Sequence, residues 1–83
     1  EMLEFVYNSG DEVNETNRTV GAQFNHWVVQ TEKQIRWEER NQPNDIMDYE
    51  IVNMTATSVI RDSVASDNVV ETLFVMIKWT KRK

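Results

Sequence analysis

The residue types that carry chemistry are few in this chain and do not form a reacting set. His26 is the only imidazole and there is no cysteine, so nucleophilic catalysis lacks both a thiol and a His pair, and no Gly-x-Ser-x-Gly turn offers a serine instead. A thiolate metal site is excluded, and a transition metal would find at most one imidazole. On a helix His26 points away from the apolar arc, which makes it a solvated surface histidine. Asp45, Asp48 and Glu50 are oxygen ligands by type, but they lack the glycine-containing twelve-residue spacing of a calcium loop. No metal or cofactor is expected, and the chain reads as a non-enzyme.

Three further patterns bear on binding. Trp27, Trp37 and Trp79 are able to stack bases, but no basic stripe accompanies them, so Trp27 and Trp79 are assigned to core or interface packing. Glu38, Glu39, Asp45, Asp48 and Glu50 form a candidate acidic face of the kind that imitates a phosphate backbone; a merely solvated face is the plainer reading. Asn-x-Ser/Thr acceptor patterns start at Asn14, Asn17 and Asn53, against about one by chance from eight Asn and eleven Ser or Thr.

Composition bounds the rest. With 40% hydrophobic and 28% charged residues, the chain is a folded globular type and not a disordered one. Fourteen acidic against nine basic residues leave a net charge of −5, which opposes wrapping a nucleic-acid backbone. No apolar run approaches the ~20 residues that span a bilayer, and no basic segment with an apolar signal core opens the chain. A soluble, cytoplasmic protein is expected, with Met2 as a natural start; an earlier leader stays compatible with the sequence. At 83 residues the chain makes one domain with a thin core, and with no disulfide to help, self-association is the expected aid.

These residues are positioned by four elements. Met2 to Tyr7 alternates as a strand, with Leu3, Phe5 and Tyr7 on one side, and Asn8-Ser9-Gly10-Asp11 supplies turn chemistry after it. From about Asn14 the period changes: Val20, Phe24, Trp27, Val28, Thr31 and Ile35 share one helical arc. Thr16 or Asn17 caps its start, Glu12 and Glu15 place negative charge at its positive end, and Gly21 marks a close approach to a neighbour. The pattern favours helix to about Glu39, although Ile35 to Glu38 also alternates like a strand. Asn41 to Asp45 breaks it at Pro43.

Asp48 to Arg61 alternates again, Val52, Met54, Ala56, Ser58 and Ile60 facing one way and Tyr49, Ile51, Asn53, Thr55, Thr57 and Val59 the other. After a polar loop from Asp62 to Asn68, Val69 to Thr80 forms a third strand with Leu73, Val75, Ile77 and Trp79 opposite Phe74 and Met76. Residues 80–83 read as a frayed basic tail. The expected fold is α+β, in the order β-α-β-β, with one helix packed on a three-stranded mixed sheet of open strand order.

One helix covers one face of such a sheet, whereas strand three is apolar on both. A second cover is therefore required. The favoured cover is another copy, a homodimer packing sheet to sheet or edge to edge through the face or edge bearing Leu73, Val75, Ile77 and Trp79; the alternative is that residues 32–48, with Trp37 and Met47, fold back over it.

Phe24 to Val28, then Tyr49 to Met54 with Thr57-Ser58-Val59, and finally Phe74 to Ile77, resemble a small sporulation-associated protein family of spore-forming bacteria and their phages. The resemblance spans most of residues 3 to 79 and implies strand-helix-strand-strand with a bacterial or phage origin, but no catalytic residues. The connection from Gln30 to Asp48 is longer than in that family. Three functions follow in order: an oligomeric protein-interaction module, an acidic phage-type inhibitor of a host nucleic-acid-acting enzyme with a host protein as partner, and a virion or assembly component.

Overall fold

The computed structural model describes residues 1–9, 18–62 and 67–83. The α+β class and the element order stand: β1 spans Met2–Asn8, α1 Val20–Asn41, β2 Met47–Asp62 and β3 Asp67–Lys81. The sheet order is β1-β3-β2, and β3 is antiparallel to both neighbours. The sheet is therefore antiparallel throughout and not mixed. The strand with the densest run of large apolar residues, Leu73 to Ile77, takes the centre, where both its edges are paired. β1 and β2 run in the same direction, but β3 lies between them, so the helix bridges strands that never touch.

α1 begins where Thr19, not Thr16 or Asn17, caps it: the Thr19 Oγ1 accepts from the Ala22 N–H at 3.3 Å. Glu12, Glu15, the sites at Asn14 and Asn17 and the Gly10-Asp11 half of the turn lie outside the described residues. Helix continues through Trp37 to Asn41, so the strand alternative for Ile35 to Glu38 falls away. Much of the long connection after Gln30 is thus three further helical turns. Gly21 has no atom within 4 Å of a side chain built on it; the expected close approach does not occur, and the residue lies on the exposed side of the first turn.

The helix lies over β1 and β3. Phe24, Trp27 and Val20 pack on Leu73, Val75 and Ile77, flanked by Leu3, Phe5, Tyr49 and Trp79. Trp27 is the hub of the rings, 6.3 Å from Phe24 in a stacked arrangement and 5.3 Å from Tyr49 edge to face. Edge-to-face and offset pairs contribute about 0.5–1.5 kcal/mol beyond burial. The Trp79 indole N–H donates to the Glu1 carboxylate at 2.9 Å, which satisfies its one polar atom.

Strict alternation fails once, in β2. Ile51 pairs with Ile77 and Asn53 with Met76, leaving Val52 as a bulge. One extra residue reverses every later side chain. Tyr49 and Ile51 therefore share the helix-side face with Met54, Ala56, Ser58 and Ile60, where a perfect alternation puts them on opposite faces. The bulge lets Tyr49 reach Trp27 while Ala56 stays level with Leu73.

Candidate protein-interaction surface

Leu73, Val75 and Ile77 are the buried core, Val75 being 0% exposed, and Trp79 packs against them beneath the helix. The expected interface of Leu73, Val75, Ile77 and Trp79 is thus corrected: the chain's own helix covers that face. The greasier side of the central strand wins the one helix among the described residues, since covering four large apolar residues removes more surface from water than covering two. Residues 32–48 supply no second lid, because Trp37 and Met47 are both exposed.

The uncovered surface has two parts. The first is the opposite sheet face, where the register brings Met2 beside Met76, Thr55 beside Phe74 and Val59 beside Val70. Met2, Val6, Val59 and Met76 are exposed there, Val6 at 46%. Met2, Asn53, Thr55, Phe74 and Met76 line a shallow recess in it. Glu4 and Lys78 interrupt the patch with charge. The second part is β2 itself, exposed at every residue from Glu50 to Ile60 on both faces. On its helix side Met54 is 47% and Ile60 67% exposed, because α1 stays over β1 and β3 and reaches β2 mainly through Tyr49.

The acidic residues are not assembled into a free face. Arg82 grips Asp48 with both ends of its fork, Nε to Oδ2 at 2.9 Å and Nη2 to Oδ1 at 2.6 Å, and lies 3.6 Å from Glu39. That bidentate hydrogen bond lowers the Asp48 carboxyl below its ordinary value, against a smaller opposing effect of desolvation. Lys81 is 4.0 Å from Asp45, and Glu38 accepts from the Gln34 amide at 3.3 Å. Glu50 is in none of these contacts, and it stands opposite Lys78 in the ladder. The basic tail is correspondingly not frayed: β3 runs to Lys81 and the Arg82 N–H donates to the Ile46 C=O at 2.9 Å.

His26 is exposed on the helix, as its position off the apolar arc implies. Among the described residues no group of three His, Asp or Glu is placed to hold a metal, and no helix is long and apolar enough to cross a membrane. Tyr49 donates to Glu32 at 3.2 Å, and burial followed by that carboxylate raises its phenol; this pair tethers α1 to β2.

No family model, curated protein or solved structure gives a significant match to this chain. The surface has to speak from its own residues. What sequence reasoning missed is which side of the sheet stays open. One signal was present: four consecutive inward positions of strand three are large and apolar, whereas on the other side Phe74 and Met76 are flanked by Thr72 and Lys78. The Val52 bulge has no comparable signal in the residue types around it.

Proposed function

We propose that the chain is a non-enzymatic protein-interaction module that works through the uncovered part of its sheet, with a second copy as the favoured partner. One observation carries this: β2 is exposed from Glu50 to Ile60 on both faces, with Ile51, Met54 and Ile60 on the helix side and Val59 on the open face that also carries Met2 and Val6. Large exposed apolar groups gathered on one element of a folded chain usually mark a binding site. The thin core, with four buried hydrophobic residues among those described, gives the fold a further reason to gain from association. The reading accords with the resemblance to sporulation-associated proteins of bacteria and phages, which brings no catalytic residues. The engagement of Glu39, Asp45 and Asp48 by Arg82 and Lys81 gives the phosphate-mimic alternative little free charge to work with. Light scattering tests the proposal. A mass of two chains or more at high micromolar concentration is expected, and a strict monomer across the whole range overturns it.

A further inference from the structure

The register says which backbone groups of β2 lack a partner. Ile77 N–H donates to the Glu1 C=O and Ser9 N–H to the Val69 C=O, so odd-numbered residues of β3 bond β1. Along an antiparallel ladder the bonded pairs alternate, so even-numbered residues of β3 bond β2. Their partners are Asn53, Thr55, Thr57 and Val59. The N–H and C=O of Met54, Ala56, Ser58 and Ile60 therefore point outward, along the free edge of the sheet.

Beyond the bulge at Val52 that edge is undefended by the described residues. Sheets usually blunt a free edge with lysine, proline, a bulge, an inward charge or a covering element. From Ile51 to Ile60 the sequence is Ile-Val-Asn-Met-Thr-Ala-Thr-Ser-Val-Ile, with no charge, proline or glycine in ten residues. The other edge is managed: β1 has seven residues, carries Glu4, and its Val6 C=O accepts from the Gln23 amide of α1 at 2.8 Å.

We infer that β2 is the self-association site, pairing antiparallel with β2 of a second copy about a two-fold axis perpendicular to the sheet near Ala56. This deepens the interaction-module reading and rests on it. The product is a six-stranded sheet, ordered β1-β3-β2-β2-β3-β1, with both helices on one face. Ala56 meets its own copy, Thr55 meets Thr57 and Met54 meets Ser58, each with side chains on matching faces.

Charge disfavours the parallel direction. A parallel pairing places Asp48 and Glu50 beside their own copies, about 4.8 Å away across the ladder, in a chain of net charge −5. Antiparallel pairing about Ala56 separates the two Asp48 residues by sixteen positions, roughly 50 Å at ~3.3 Å per residue. That distance is several Debye lengths at physiological salt. The central ten residues bring no charge of their own to the junction.

The test separates this inference from the reading beneath it. Ala56→Pro removes an outward N–H while leaving the β3 ladder intact, and Met54→Lys puts an ammonium on the edge without touching the backbone. Both are expected to give monomers with unchanged far-UV circular dichroism, while Val6→Lys on the open face leaves the dimer. In the unsubstituted chain, exchange of the Ala56 and Ser58 amides is expected to speed at least tenfold on dilution through the dimer transition, with Thr55 and Thr57 unaffected. A dimer that survives Met54→Lys and is lost in Val6→Lys, or whose Ala56 and Ser58 amides exchange equally fast at all concentrations, overturns the edge and keeps the module. An unsubstituted chain that never dimerises overturns both.

Discussion

Ile77 and Asp48 show how differently two residues of this small fold hold it. Ile77 is 2% exposed beneath the helix, and shortening it to Ala removes buried methyls and leaves a cavity that a thin core has little means to fill. A loss of about 3 kcal/mol is expected for Ile77→Ala, read as a shift in the urea midpoint. Asp48 is held by charge. Its carboxyl lies below the ordinary carboxylate range because Arg82 bonds both its oxygens. The pair therefore stabilises the fold above the ordinary carboxylate pKa, and that contribution is lost as pH falls through the depressed value. A carboxyl titration by NMR is expected to find Asp48 below the ordinary value and to find it restored in Arg82→Ala. An Asp48 that titrates identically in both forms contradicts the pairing.

At the scale of elements, the bulge at Val52 decides more than any single contact. It is the reason Tyr49 meets Trp27 and donates to Glu32 while Met54 and Ala56 remain level with Val75 and Leu73. Deleting Val52 removes the extra residue itself, so Tyr49 and Met54 then lie four positions apart in a regular ladder and still share a face. The expected outcome is that the near-UV circular dichroism from the Trp27, Tyr49 and Trp79 cluster is retained. Loss of that signal means that the cluster depends on the local twist of the bulge and not on the register alone.

For the whole molecule, the extents of 56 × 24 × 12 Å describe a long hairpin overlaid for part of its length by one helix. A chain of this size that leaves Ile60 and Val59 in water has apolar burial to gain from a partner. If association supplies it, Tm rises with protein concentration, because a dimer is favoured by mass action. A scan over a hundredfold range of concentration is expected to show that rise in the unsubstituted chain and none in Met54→Lys.

The residue types alone determined the four elements, their order and the helical arc, because periodicity 2 and periodicity 3.6 are local properties of the chain. They also show one histidine and no cysteine, which is the ground for expecting no thiol nucleophile and no His pair. The placement of the helix was decided only in three dimensions. Leu73, Val75, Ile77 and Trp79 looked as suited to a partner as to a lid, and the difference is that they compete for a single helix with Phe74 and Met76 on the far side. The same competition set strand order, putting β3 between two parallel runs. Ion pairing of Arg82 with Asp48, 34 positions away, and the bulge that aligns Tyr49 with Trp27 are contacts between distant segments, which no local pattern encodes.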